Sequence, residues 1–244
     1  MLTTPIPTIK FPSIKEYETE ENGEQLVSLS VMGLLCESQY YMQGVAGALK
    51  DCYARKSVAY MLLRAQDYLP EGMKFKIYDA YRPIKVQQRL WDYFRTKMIY
   101  ENPGMNDDEV DKRTEFFVSK PSYDIKRPSL HNTGGSVDLT IVDANGKELD
   151  MGTKFDDFSD KTWTNHYEDS YIENETNEPV RDNRRILYNA MIQAGFTNLP
   201  SEWWHYDYGT KFWAYFTGGQ SVLRRYFGTP SAKRFPSYIK GRTT

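Results

Sequence analysis

The chain has 244 residues, enough for one generous domain with a sizeable core; 26% of them are charged and 40% apolar, as in an ordinary globular protein. Lys and Arg number 31 against 33 Asp and Glu, and a net charge of -2 speaks against a protein whose main task is coating nucleic acid or an anionic membrane. The aromatic share is high, 15% with 19 Tyr, 12 Phe and 5 Trp, and the composition as a whole excludes disorder, collagen and a disulfide scaffold.

No stretch approaches the roughly 20 apolar residues that a membrane-spanning helix needs. Met1 to Lys15 carries three prolines and no apolar core of signal-peptide type. As written, the chain is expected in the cytosol; with a leader removed beforehand it would be expected in the periplasm. Cys36 and Cys52 lack metal-type spacing and read as buried free thiols. Residues 1–30, polar and punctuated by proline, read as an arm wrapping the domain.

Helical spacing of apolar residues predicts a helix from Val58 to Leu69, stopped by Pro70-Glu71-Gly72. Lys74 to Tyr78 alternates as a strand does. Pro83 suits the first turn of a helix that runs to about Ile99, with Val86, Leu90, Phe94 and Met98 on one face. Residues 101–128 read as a long irregular excursion. Val137, Leu139 and Ile141 alternate as a second strand, and Asn145-Gly146 is a hairpin turn signal. Residues 150–180 read as an acidic loop. A further helix is expected from Asp182 or Asn183 to Ala194, ended by Gly195, followed by a short aromatic strand from Trp203 to Tyr208. Past Asp207 the charges are all basic, Lys211, Arg224, Arg225, Lys233, Arg234, Lys240 and Arg242, and read as a solvated tail. There is no repeat and no low-complexity linker. The expectation is a single α+β domain over residues 1–244, with a mostly antiparallel central sheet flanked by helices.

Three short clusters carry reactive side chains. His131 and Asp138 stand seven apart, and in a continuous strand they would face opposite ways; Gly134-Gly135 offers the turn that lets them converge. Asp138 sits among apolar strand residues, and an acid buried there must find a cation or a metal. The second cluster is Glu202-Trp203-Trp204-His205, where local irregularity would let Glu and His meet. The third is Tyr78 to Pro83, whose Arg82 stands before a helix start, free to serve an anion or a developing oxyanion. Each cluster has a plain structural reading too. Asp79 could fix Arg82 or cap the next helix, at least one of Trp203 and Trp204 reads as core, and His166 reads as exposed.

Taken together and in this order, the clusters resemble the D-alanyl-D-alanine dipeptidases, a group of zinc peptidases whose pattern reads D-[GA]-Y-R-P, then S-x-H-x-x-G-x-x-x-D, then E-W-W-H-[YF]. Asp79 to Pro83, Ser129, His131, Gly134, Asp138 and Glu202 to Tyr206 supply every anchor. Met151 to Asp156 looks like the family's M-G-[ST]-x-F-D, and Asn183-Arg184-Arg185 like its N-R-R helix start. The resemblance covers about residues 58–210; residues 1–50 and 215–244 match poorly. It implies a compact zinc peptidase fold shared with D,D-carboxypeptidases and the hedgehog signalling domain. It further implies one Zn²⁺ per chain on His131, Asp138 and His205, Glu202 as general base and Arg82 on the oxyanion. By the same token Asp156 would take the substrate's ammonium and Ser129 its carboxylate. The implied substrate is the small dipeptide D-Ala-D-Ala, with no nucleic acid or membrane partner. A zinc D,D-carboxypeptidase or endopeptidase trimming peptidoglycan stems is the alternative enzyme, and a metal-retaining binding module the non-catalytic one. His₂Asp would also accept other first-row divalent metals. Oligomeric state is not written in the sequence.

Overall fold

The computed structural model describes residues 2–9, 20–157, 159–168 and 177–218. In chain order the strands are β1 (Leu26–Ser28), β2 (Leu35–Cys36), β3 (Tyr53–Arg55), β4 (Lys74–Asp79), β5 (Ser136–Val142), β6 (Thr197–Asn198) and β7 (His205–Asp207). The helices are α1 (Gln39–Met42), α2 (Lys56–Gln66), α3 (Ile84–Glu101), α4 (Asp107–Phe117), α5 (Glu178–Ala194) and α6 (Lys211–Thr217). This is the expected α+β class. A five-stranded sheet has the order β2-β4-β5-β7-β6, antiparallel except where β2 joins β4, and β1 pairs with β3 in a separate two-stranded ribbon.

The two faces of the sheet have different work. Register sets Phe75 beside Ile141 and Ile77 beside Leu139, and strand alternation sends these side chains to one face. There they pack with Val58, Leu62 and Ala65 of α2 and Leu187, Ala190 and Met191 of α5, all buried. Burying each large aliphatic side chain contributes roughly 1.5–3 kcal/mol. Asp138 and Thr140 point to the opposite face, and that face carries the site.

The expected strands at Lys74 and Val137, the helices that begin near Val58 and Pro83, and the turn at Asn145-Gly146 are all present. In that turn the Leu149 N–H donates to the Ile141 carbonyl across the hairpin at 2.9 Å.

Four expectations fail. The 101–128 stretch contains α4, started by Asn106, whose side chain accepts from the Glu109 N–H at 3.0 Å, with Asp107, Asp108 and Glu109 favoured by the positive helix end. Its apolar stripe is too thin to show as periodicity. α5 starts at Glu178, not Asp182 or Asn183, because Pro179 presets the first turn; Asn183 lies a turn inside and donates to the Asp150 carbonyl at 2.9 Å. The aromatic strand is only His205–Asp207, with Trp203 and Trp204 buried in the preceding turn. His166 is half-buried with its ring 4.9 Å from that of Tyr167.

The arm is partly as expected. Residues 2–9 lie on the domain, where Ile6 is buried and the Asn189 amide donates to the Leu2 and Thr4 carbonyls at 3.2 and 2.8 Å. By Leu26 and Val27, however, the chain is already core strand. Cys52 is buried and Cys36 half-buried, both as free thiols. The basic residues from Arg224 onward lie outside the described residues. Among the described residues, no helix is long and apolar enough to cross a membrane.

Candidate metal and active site

The centre of the site is a rung of the β5–β7 ladder. Register sets Asp138 directly beside His205. His131 comes to them from a 3₁₀ turn over Leu130–Thr133, which ends at Gly134 with φ of 74°. A glycine is required there, since a Cβ at that position would stand 2.5 Å from Leu26 Cδ2. The turn brings His131 Nε2 to 3.1 Å from His205 Nδ1 and 3.3 Å from Asp138 Oδ2, and His205 Nδ1 lies 3.0 Å from Asp138 Oδ1. The three residues are buried, with one donor atom from each within 4.8 Å of the others. Two ligands about 2.05 Å from a tetrahedral zinc stand about 3.3 Å apart, so the triangle has the size and the N,N,O chemistry of a zinc site. The remaining nitrogen of His131, Nδ1, is 2.8 Å from the Ala80 carbonyl, which can only accept; Nε2 therefore keeps its lone pair for a metal. The other nitrogen of His205, Nε2, is 3.0 Å from Asp207 Oδ2.

Arg82 lies beside the triangle, fixed on three sides. Its Nε donates to Asp79 Oδ2 at 2.8 Å, one terminal nitrogen to Gln87 Oε1 at 2.9 Å and the other to the Tyr40 hydroxyl at 3.3 Å. The second terminal nitrogen is also 3.6 Å from Asp138 Oδ2. Of the two structural readings of Asp79, the structure shows the fixing of Arg82; the α3 N-terminus has no side-chain cap. The Tyr40 hydroxyl passes the chain on, donating to Asp156 Oδ2 at 3.0 Å. Burial holds the Tyr40 phenol protonated, which keeps it a donor.

Glu202 lies in the turn before β7, with Oε2 3.8 Å from His205 Nδ1. The irregularity expected here is real: the Glu202 N–H donates to the Leu199 carbonyl at 3.0 Å, and its carbonyl accepts from the His205 N–H at 3.3 Å. A cavity of about 60 Å³ is lined by Arg82, Ser129, His131, Asp138, Asp156, Glu202 and His205, with Phe94, Phe117 and Leu199 among its apolar walls. All seven residues singled out from the sequence therefore converge on one pocket. The Ser129 hydroxyl donates to the Lys120 carbonyl at 3.2 Å.

The electrostatics divide the carboxylates. Burial opposes ionisation of Asp138, but His131 and His205 outweigh it and hold the carboxyl below the usual range. Burial, and next the charge of Asp138, push Asp156 up to about 7 against the pull of Arg82. Glu202 is raised by burial with a contribution from Asp138, while His205 opposes the shift. An ionised group able to bind a cation thus sits beside two acids held closer to neutral pH.

Sequence reasoning gave no site role to four residues that shape this site, Arg184 among them although it stands in the N-R-R stretch. Tyr40 gave no signal in its polar surroundings. Gln87 could have been found as a polar residue beside the apolar face of α3. Asp207 follows the aromatic run as an ordinary acid. Arg184 is buried, and its guanidinium donates to the carbonyls of Met151, Lys161 and Trp163 at 2.7–2.8 Å, pinning both ends of the segment that carries Asp156.

The M15 peptidase family model, described as D-ala-D-ala dipeptidase, matches residues 33–227. The chain belongs to this family. Two relatives called D-alanyl-D-alanine dipeptidase are 29% identical over 151 residues (Synechocystis sp.) and 31% identical over 139 residues (Escherichia coli K12). These matches cover 57% and 56% of this chain but only 61% and 55% of the relatives' own lengths. A third, from Enterococcus faecium, is 26% identical over 61% of this chain and 69% of its own. Among solved structures, a vancomycin-resistance D,D-pentapeptidase VanY variant in complex with Zn(II) is similar at 18% identity and a TM-score of 0.40, over 69% of this chain and 82% of its own. VanYB in complex with D-alanine-D-alanine is similar at 18% identity and 0.41, over 69% and 80%. The family match takes in every site residue named above and extends beyond the 58–210 block that carries the motifs.

Proposed function

We propose that this M15-family chain is a zinc peptidase that hydrolyses D-Ala-D-Ala to two molecules of D-alanine. The observation that carries the reading is the convergence of a buried His131-Asp138-His205 triangle with Glu202, Arg82 and Asp156 on one cavity. His131, Asp138 and His205 would hold one zinc ion per chain, which when bound acts as a Lewis acid toward the scissile carbonyl and lowers the pKa of water to about 7.

The chain's own residues do the rest. Glu202 takes the proton of the attacking water as the C–O bond forms, then gives it to the amine nitrogen as the C–N bond breaks. Its raised pKa suits both halves of that transfer. Arg82 faces the cavity with its orientation already fixed by Asp79, Gln87 and Tyr40, so it meets a developing oxyanion without reorganising. Asp156 receives the free ammonium at one end, and Ser129 helps to hold the free carboxylate at the other once its hydroxyl turns from the Lys120 carbonyl to the substrate. Two charged ends read at once, in a pocket this confined, select a dipeptide over a long stem peptide.

The test compares hydrolysis of free D-Ala-D-Ala with its N-acetylated form, with metal content measured on the same sample. Cleavage of the free dipeptide alone, with about one zinc per chain, is the expected result. Equal or faster cleavage of the blocked peptide would remove the role given to Asp156 and favour a stem-trimming peptidase. Bound zinc with neither substrate turned over would point to a binding module.

A further inference from the structure

We infer that Asp207, held by Ser136, is a positioning residue that fixes His205 as a metal ligand through its Nδ1 atom. The inference rests on the metal site proposed above and adds an outer layer to it.

The argument comes from the strand ladder. His205 and Asp207 are two apart on β7, so their side chains share a face, and the far nitrogen of the imidazole meets the carboxylate, Nε2 to Oδ2, at 3.0 Å. On the partner strand, Ser136 and Asp138 are likewise two apart. Register pairs Asp138 with His205 and Ser136 with Asp207. One rung thus supplies two of the three ligand side chains. Two rungs along, on the same face, lie the groups behind them, with the Ser136 hydroxyl donating to Asp207 Oδ1 at 2.6 Å.

Asp207 has no exposed surface. A buried carboxylate is costly unless it is paired and hydrogen-bonded, and among the described residues its ion-pair partner is His205. Each carboxylate oxygen has its own donor, so the group can hardly rotate. When Nε2–H is given to Asp207, the lone pair of Nδ1 is left facing His131 and Asp138. His131 reaches the same end by a different route, through the Ala80 carbonyl. The carboxylate behind His205 also makes that imidazole the more electron-rich of the two ligands.

The experiment measures Zn²⁺ and Co²⁺ affinity of the purified full chain by competition with a chromophoric chelator, together with the visible spectrum of the Co²⁺ form. Asp207→Ala is expected to weaken metal binding about 10–100-fold and to alter the Co²⁺ spectrum. Asp207→Asn, whose amide oxygen can still accept from Nε2, should recover most of the affinity but not the full value. Ser136→Ala removes only the strap on Asp207 and should give a smaller loss in the same direction; it is read together with Asp207→Asn if Asp207→Ala does not fold. Wild-type affinity in Asp207→Asn and Ser136→Ala, with an unchanged Co²⁺ spectrum, would overturn the inference. A wild-type chain that binds neither ion, or binds equally well as His205→Ala, would instead overturn the metal site itself.

Discussion

At Glu202 a carboxylate stands 3.8 Å from His205 Nδ1 and yet outside the His131-Asp138-His205 triangle, so the proposed proton transfer can be tested apart from metal retention. Glu202→Gln keeps shape and hydrogen bonding but cannot take a proton. It is expected to lower kcat by at least about 10³-fold while zinc content stays unchanged, and retained turnover would sink the role. Asp156 gives a test by pH. Its carboxyl, pushed up to about 7, is neutral below that value and cannot hold an ammonium. KM for the free dipeptide should therefore rise as pH falls below about 7. In Asp156→Asn that slope should vanish from a KM that is high throughout. The residues proposed as metal ligands, base and oxyanion arginine could be picked out in the sequence, and the structure gathers them round one cavity, because they belong to short motifs, His131 to Asp138, Glu202 to His205 and Asp79 to Pro83. Tyr40 was not picked out, and Arg184 was seen only as part of the N-R-R stretch, since each acts on groups that lie far away in the chain.

Among its described residues, the segment from Met151 to Trp163 has little regular structure, and three carbonyls at its ends, those of Met151, Lys161 and Trp163, accept from the Arg184 guanidinium. Burial lowers that guanidinium to about 10, still charged at neutral pH, and its charge is spread over carbonyls and over the Tyr167 ring 4.7 Å away. Replacing it with Met leaves buried acceptors unpartnered, which costs about 3 kcal/mol. Arg184→Met is expected to lower the melting temperature and to raise KM for the free dipeptide far more than it lowers kcat, because Asp156 moves and the β5–β7 ladder does not. Equal effects on KM and kcat would argue against that separation. The sequence showed the elements with clean periodicity, such as α2, β4 and β5. It hid α4, whose start depends on a cap and acidic first turn rather than on an apolar stripe, and it displaced the start of α5, which Pro179 sets.

Over the whole molecule, the site gathers Asp79, Asp138, Asp156, Glu202 and Asp207 against the sheet; Arg82 answers part of that charge, and a bound metal cation would relieve more of it. Saturating zinc should raise the melting temperature. At a free concentration 1,000 times Kd the gain is about 4 kcal/mol, and a chelator should reverse it. Without metal, stability carries a pH signature from Asp156. Its folded pKa lies above the unfolded value of 3.8, so the folded chain binds the extra proton; that contribution is whole below pH 4 and is lost as pH rises to about 7. The metal-free Asp156→Asn protein should therefore be the more stable of the two at pH 8, by on the order of 2 kcal/mol for a half-buried group. Denaturant titrations at pH 5 and pH 8 would check this; a difference that does not widen with pH would refute it.

Asp156 is also the one described residue other than glycine whose backbone lies in the left-handed region, at φ of 56°. Few side chains adopt that conformation cheaply; glycine, asparagine and aspartate do, and β-branched or bulky ones do not. The repertoire open to mutation is therefore narrow. A descendant of this chain can exchange the charge proposed to read the ammonium for an amide or for empty space without refolding the loop. Aliphatic or aromatic side chains are closed to it there, so a shift of substrate preference at this position would pass through Asn or Gly.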